Sequence, residues 1–352
     1  MKNEPIFVAS DILTTTTPEM WEAMMGAKLS WAKNGKDENI ARFTRRICEL
    51  TGQEDAIIVS TGGAANLAAL LTHARPGEQI VTDRNEHILW QEGDGVFSVA
   101  GLRVAAIDAE HGIMTAAEVA RAADYSVCNQ HPRNAAVFLE NTHTIGGGLA
   151  YTPEGTAAIA AVARERGMAL HIDGARLWNA AACQSTPVAD LTRLADSVSI
   201  SLNKILGVPF GAVLCGSAEF IRSATDNMRR ISAFSMHKAG MIAAAAMTRL
   251  SEAHFPIFMD DIVRIHALTK TLASRLNDVP GIRVDVSRVQ SNLFFMDVSG
   301  TGIDAADFIQ RMEAKGVVTS YRSRELVRFV LSTNITEKHL ETVVQAVGAS
   351  AA

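Results

Sequence analysis

Short, almost uninterrupted apolar runs alternate with longer helical patterns through the middle of this chain, and that alternation constrains the fold more than any other feature. Residues 56–60, 79–82, 103–107, 135–140, 168–172, 197–201 and 211–215 read as buried strands. Helical patterns rich in alanine run between them, at residues 64–73, 115–123 and 153 to about 166. Pro153 suits a first helical turn, where its missing N–H would have had no partner in any case. Strands that lack polar alternation and are separated by helices predict an α/β fold, with a mostly parallel sheet covered on both faces. Ligands in such sheets bind beyond the carboxyl ends of the strands, and the polar motifs of this chain fall there.

After about residue 250 the pattern changes. A long helix is predicted at about residues 256–277, followed by the turn Val279-Pro280-Gly281. Strands near 282–286 and 292–297 follow, then a helix from about Ala305, strands near Val317 and Val327, and a terminal helix from Thr336. The expected organisation is a large domain over residues 1–250 and a small α+β domain over 251–352. The extended N-terminus is expected to join the small domain or to cross the site.

The 352 residues carry a net charge of −5, which gives no basic footprint for nucleic acid or anionic lipid. No stretch approaches the ~18 apolar residues of a membrane span. Four separated cysteines, Cys48, Cys128, Cys183 and Cys215, contain no Cys-x-x-Cys and predict reduced thiols in a cytoplasmic protein. Met1-Lys2-Asn3-Glu4-Pro5 does not read as a signal peptide.

Two segments carry the chemistry. His-Ile-Asp-Gly-Ala-Arg at 171–176 and Ser-Leu-Asn-Lys at 201–204 each end a strand, so a carboxylate, an arginine and a lysine arrive on neighbouring strands. Lys204 precedes an apolar, glycine-rich stretch. Desolvation lowers a lysine pKa and makes its amine a nucleophile; the bland alternative is a surface lysine. Asp173 can pair with a protonated pyridine nitrogen, or simply cap the next helix. Arg176 can bond a cofactor or substrate oxygen, or form a salt bridge. An amine for an aldehyde, an acid for a ring nitrogen and donors for oxygens are what pyridoxal phosphate requires.

The remaining parts are weaker singly. Thr61-Gly62-Gly63-Ala64-Ala65-Asn66 joins a strand to a helix, where N–H groups can meet a phosphate; an ordinary tight turn reads equally well. His87 and His143 both follow strands and are candidate general bases, although polar loop histidines are common. His171-x-Asp173 lacks a third ligand nearby, so no metal is expected.

Together these residues resemble the threonine aldolase family of the β-eliminating lyase group, among fold-type I pyridoxal-phosphate enzymes. The resemblance rests on Ser10-Asp11 with Thr17-Pro18-Glu19-Met20 and Ala23-Met24, on Glu140-Asn141-Thr142-His143, on 171–176 with Asn179-Ala180, and on Val327-Arg328 before the terminal helix. It implies cleavage of threonine-like β-hydroxy-α-amino acids to glycine and an aldehyde. Lys204 would bond the cofactor aldehyde, Asp173 its ring nitrogen, and His87 its face. Thr61, Gly62 and Gly63 would lie at the phosphate. Ser10, Arg176 and Arg328 would surround the substrate carboxylate, and Arg176 could also reach the cofactor. The assembly implied is a homodimer or homotetramer.

The chain departs from the family at several points. The usual Ser-Gly-Thr-Met-Gly-Asn turn is Thr61 to Asn66, Asn203 replaces the serine before the lysine, and Ser332 stands where a histidine is usual. A glycine-rich Arg-Gln segment is replaced at 233–238, and a Tyr-Gly pair by Asn34-Gly35. Bulkier aryl substrates, other eliminations on the same cofactor, a serine hydroxymethyltransferase-like reaction and a non-enzymatic relative remain alternatives.

Overall fold

The computed structural model describes residues 4–30, 37–128, 132–233 and 236–352. Asn34-Gly35, Phe234-Ser235 and the first three residues lie outside the described residues. The central sheet has seven strands: β2 (Asp55–Val59), β3 (Gln79–Asp83), β4 (Arg103–Ile107), β5 (Asn134–Glu140), β6 (Ala169–Asp173), β7 (Ser197–Ser201) and β8 (Ala212–Gly216). Their order is β2-β8-β7-β6-β5-β3-β4, and β8 alone runs antiparallel to its neighbours. The expected runs match these strands to within a residue or so at each end. The mostly parallel, helix-covered α/β architecture predicted from them is the one observed.

Helices α3 (Gly62–His73), α5 (Ala116–Cys128) and α6 (Pro153–Glu165) connect the strands as the periodicity predicts. Four longer helices have no counterpart among the sequence-based expectations: α1 (Pro18–Gly26), α2 (Glu38–Thr51), α9 (Ala218–Arg230) and α10 (Ala239–Leu250). Short helices α4 (His87–Trp90), α7 (Leu177–Gln184) and α8 (Val188–Thr192) follow β3 and β6. Thr17, Asp37, Thr61, Thr152 and Ser217 each accept a backbone N–H at the start of their helix, a contribution of about 1 kcal/mol apiece.

The long helix α11 (Phe255–Leu276) leads into the C-terminal part. Its first half, at Phe258 and Ile262, packs into the core of the large sheet. Its second half, from Ile265 to Leu276, packs into a separate core with Phe294, Phe308, Phe329 and Leu340. That second core is covered by α12 (Ala305–Glu313) and α13 (Glu337–Ala351), and its sheet pairs β9 (Leu293–Asp297), β12 (Leu326–Val330) and β11 (Ser320–Tyr321). The N-terminal strand β1 (Ile6–Phe7) pairs with β10 (Val317–Val318), and Val8 enters the same core. The N-terminus therefore joins the small unit before its next residues turn back toward the large sheet.

One expected strand is absent. Residues 282–286 form only a bridge between Arg283 and Asp297, then a 3-10 turn at Val286–Arg288. The side-chain amide of Asn277 takes both backbone groups of Val284, donating to its O at 2.8 Å and accepting its N–H at 2.5 Å. Val286 N–H donates back to Val284 O at 3.0 Å, a tight turn that bends the chain away after the single bridge.

Gly112 shows how tightly the sheet edge is packed. Its φ is +76°, and a side chain there would lie 2.3 Å from the ring of the fully buried His143. Gly112→Ala should destabilise the protein by about 2–4 kcal/mol, from left-handed strain plus overpacking. Urea unfolding tests this; an unchanged midpoint would show that the ring can move aside.

Candidate active site

The carboxyl ends of β2, β3, β5, β6 and β7 bring the candidate residues to one edge of the sheet. After β2, Thr61 caps α3 by accepting Ala64 N–H at 3.0 Å, which leaves its own hydroxyl proton free. Gly62 and Gly63 form the first turn of α3. A side chain on Gly62 would come within 3.3 Å of Ser201 Oγ, at the end of β7. A cavity of about 640 Å³ opens against Thr61, Gly63, His87 and Glu92. The helix start directs backbone N–H groups into it, which suits an anion.

His87 and Asp173 stand deeper. The His87 Nδ1 lies 2.8 Å from Glu92 Oε1, so the ring donates there and leaves Nε2 as the free, basic nitrogen. Burial pushes the His87 pKa down, but the Glu92 bond and the charges of Asp173 and Glu140 outweigh it, and the net shift is upward. Asp173 is buried at the end of β6. Its Oδ1 accepts Ala175 N–H at 3.0 Å and its Oδ2 accepts from Asn66 Nδ2 at 2.8 Å. Burial pushes this carboxyl up, yet His87, Lys204, Asn66 and His171 together hold it below the ordinary range. It is an interior carboxylate facing the His87 ring and the Lys204 amine.

Lys204 follows β7 in a turn whose Ile205, Leu206 and Val208 are buried. Burial, then the Arg176 charge, lowers its pKa; Asp11, Asp173 and Glu140 offset part of this. Those are the conditions under which a lysine amine is nucleophilic. The strap over residues 10–16 is tied to this turn, because Thr16 Oγ1 donates to Gly207 O at 2.9 Å. Ser10 caps the short turn Asp11–Leu13, accepting Ile12 N–H at 3.3 Å.

Asp11 and Arg176 form a fully buried bidentate pair, with Nε to Oδ2 and Nη2 to Oδ1 both at 2.8 Å. The remaining Arg176 Nη1 donates to Thr144 Oγ1 at 2.9 Å. Burial pushes the Asp11 carboxyl up, but Arg176, Lys204 and Asn292 bring it below its usual value. Arg328, on β12, is different. It has no carboxylate partner among the described residues, its Nε is buried without a hydrogen bond, and burial with the nearby Arg176 charge pushes its pKa down to about 10. Such a guanidinium is short of an anion.

A second group of acids lies behind the cavity. Glu86 Oε1 accepts Glu140 N–H at 2.8 Å, and Glu140 accepts His87 N–H at 3.2 Å and Thr144 N–H at 2.9 Å. Burial, then Glu140, Asp173 and Asp83, pushes the Glu86 carboxyl well up. His143 belongs to this layer. Its Nδ1 accepts Gly146 N–H at 2.9 Å, its Nε2 lies 3.3 Å from Asp83 Oδ1, and its ring is wholly buried.

Of the residues singled out in sequence, Thr61, Gly62, Gly63, His87, Asp173 and Lys204 gather at the cavity and the buried charges behind it. Arg176 arrives with three of its five N–H donors bonded to Asp11 and Thr144. Of the two histidines proposed as a base, His87 lines the cavity and His143 does not. His171, weighed as a metal ligand, bonds Ser197 Oγ at 2.8 Å and Asn66 Oδ1 at 3.1 Å instead. Sequence reasoning missed Asp11, Glu92 and Glu86, and gave Asn66 no role of its own. Asp11 sits beside the singled-out Ser10, and Glu92 precedes the turn residues Gly93-Asp94-Gly95, but no spacing rule joins either to its partner.

The fold and site define a class: an α/β enzyme with a desolvated lysine, a buried carboxylate and a cationic anion subsite at the carboxyl edge of its sheet. The chain belongs to the beta-eliminating lyase family, whose model matches residues 8–299. It is 32% identical over 331 residues to low-specificity L-threonine aldolase 1 of Arabidopsis thaliana, covering 93% of this chain and 91% of that one. It is 29% identical to the low specificity L-threonine aldolase of Escherichia coli O157:H7, over 96% of this chain and 97% of the other. Among solved structures, the threonine aldolase of Leishmania major superposes with a TM-score of 0.84 at 22% identity, covering 99% and 100% of the two chains. The serine palmitoyltransferase of Sphingomonas wittichii gives 0.73 at 17%, over 98% and 87%.

Removing one partner of the Asp11–Arg176 pair would leave a buried, unpaired guanidinium. Asp11→Ala should cost about 3–5 kcal/mol in chemical unfolding at neutral pH. Because the folded pKa of Asp11 is depressed, that contribution should fade as pH falls through the acid range. A variant as stable as the parent would show that the pair adds nothing to the fold.

Proposed function

We propose that this protein is a pyridoxal-phosphate-dependent aldolase that cleaves threonine-like β-hydroxy-α-amino acids to glycine and an aldehyde. The observation that carries this reading is the unpaired Arg328 guanidinium within electrostatic reach of Lys204's neighbours Arg176 and Asp11. It offers an α-carboxylate a charge-assisted grip next to a nucleophilic amine. The names of the relatives in two kingdoms support the same substrate class.

The residues present fit the cofactor. Lys204 would carry it covalently, and Asp173 would hold its ring nitrogen. His87 would lie against its face, and Thr61, Gly62 and Gly63 with the start of α3 would hold its phosphate. When bound, pyridoxal phosphate accepts the electron pair released at Cα. Arg328 binds the substrate carboxylate, while Arg176, fixed by Asp11, adds positive charge and shapes that end of the site with Ser10. A carboxylate fixed in this way orients the bond to be broken. His87 Nε2 takes the β-hydroxyl proton, and Glu92 at Nδ1 stabilises the imidazolium that forms. His143 braces the Glu140 loop from behind.

A homodimer or homotetramer completes this reading. Trp90, Phe97 and Val99 beside the cavity, and Ile12, Leu13 and Phe210 on the strap and the lysine loop, are large exposed apolar side chains and suit burial against a second copy. No helix among the described residues is long and apolar enough to cross a membrane. Cys48, Cys183 and Cys215 are free thiols, which supports a cytoplasmic setting.

Assay of glycine and aldehyde from threonine and from phenylserine tests the reaction. Lys204→Ala should abolish turnover, and normal turnover would rule out its role. Arg328→Ala should raise KM roughly 10- to 100-fold, the value of a charge-assisted hydrogen bond; unchanged kinetics would remove the carboxylate grip. As a base, His87 acts when neutral. Its raised pKa should place the acid limb of kcat/KM above the ordinary histidine value of about 6.5. A limb that survives in His87→Asn would assign the proton to another group.

A further inference from the structure

Asn66 closes the Thr61–Asn66 turn at the start of α3, where it is only 1% exposed and all four of its hydrogen-bonding positions are used. Its Nδ2 is 2.8 Å from both Asp173 Oδ2 and Glu92 Oε1. Its Oδ1 is 2.7 Å from Ser199 Oγ and 3.1 Å from His171 Nε2. An amide has two N–H donors and an oxygen with two lone pairs, so this arrangement saturates it. The reverse orientation would set its oxygen against two carboxylate oxygens, so the network fixes which way the amide points.

The bonds behind it run in one direction. His171 Nε2 donates to Asn66, so its Nδ1 accepts from Ser197 Oγ at 2.8 Å. Ser197 Oγ in turn lies 2.7 Å from His73 Nε2, which donates to it. Burial pushes the His73 pKa down to about 4 and that of His171 to about 3, so both rings stay neutral. The chain therefore runs beneath α3 along one face of the sheet, from His73, beside an outer cavity at Gln53 and Asp196, and ends on the acids of the active site. An amide does not pass a proton on without leaving its stable tautomer, so the chain works as aligned dipoles and not as a proton channel.

We propose that Asn66 is a positioning residue: its amide, oriented by Ser199 and the His73–Ser197–His171 chain, directs one N–H at each of Asp173 and Glu92 and so keeps the cofactor-facing carboxylate ionised and aimed. This rests on the reading of Asp173 as the partner of the ring nitrogen. Without the Asn66 bond, a buried Asp173 keeps the favourable charges of His87 and Lys204 but has one oxygen unpaired beside the acids Glu86, Glu92 and Glu140. The low interior polarity then favours a neutral carboxyl, which can no longer hold a proton on the ring nitrogen.

The test compares holoenzymes reconstituted with pyridoxal phosphate labelled with nitrogen-15 in the ring. Asn66→Leu keeps the side-chain volume and removes the donors. It should weaken cofactor binding roughly 10- to 100-fold and move the ring-nitrogen NMR signal from the protonated toward the unprotonated position. Ser199→Ala, which only frees the amide to turn, should shift both readouts the same way by less, and it carries the test if Asn66→Leu does not fold. A ring-nitrogen signal unchanged in folded Asn66→Leu, or unchanged in Ser199→Ala when that variant stands alone, overturns the proposal. Asp173→Ala separates the two readings. If it too leaves the signal unchanged, the Asp173 pairing is wrong. If it moves the signal and Asn66→Leu does not, only the role of Asn66 falls.

Discussion

A carboxylate held ionised inside the protein is the constraint around which the rest of this site is arranged. Asp173 is buried at the end of β6 and lies within reach of other acids, so its charge persists only because donors and cations converge on it. Parallel pairing brings the required elements together. Asp173 stands opposite Ser199 on β7 and Glu140 on β5. The next turn after β7 therefore carries Lys204 to the same edge, and α3 brings Asn66 across the top. A register slip of one residue would send each of these side chains to the wrong face.

The same accounting explains the second charged layer. Interior charges are tolerated when paired or neutralised. Arg176 is neutralised by Asp11, Glu86 is pushed toward its neutral form by burial and its acidic neighbours, and His143 is bracketed by Asp83 and Gly146. Arg328, on a strand of the small unit, has no carboxylate partner among the described residues. The strap from residue 10 to 16 links the two units. It carries Asp11 to Arg176, bonds Gly207 beside the lysine turn, and is held by Asn334, whose Oδ1 accepts Thr15 N–H at 3.2 Å.

Much of this was legible in sequence because it depends on local pattern. Continuous apolar runs fixed the seven strands of the central sheet, and the polar residues just past them had to lie at its carboxyl edge. What escaped depends on partners far apart in the chain. The acid that occupies Arg176 comes from residue 11, and the amide that serves Asp173 comes from residue 66; nothing in their local spacing announces either pair. Helices α2 and α9 escaped although both are amphipathic, with Phe43 and Ile47 or Phe220, Ile221 and Ala224 on the buried face. Their polar residues outweigh the apolar stripe in a simple scan. The false strand at 282–286 failed because a tight turn, Val286 N–H to Val284 O, bends the chain away after one bridged residue.

The central claim is that the Lys204 amine, desolvated opposite an interior anion, is the point of attachment for the cofactor. Reduction of the reconstituted holoenzyme with borohydride, followed by proteolysis and peptide mass mapping, reads that attachment directly. The account predicts the reduced cofactor's mass on the peptide containing Lys204 and on no other lysine. A label elsewhere, or a Lys204 peptide that stays unmodified while the cofactor remains bound, would contradict it.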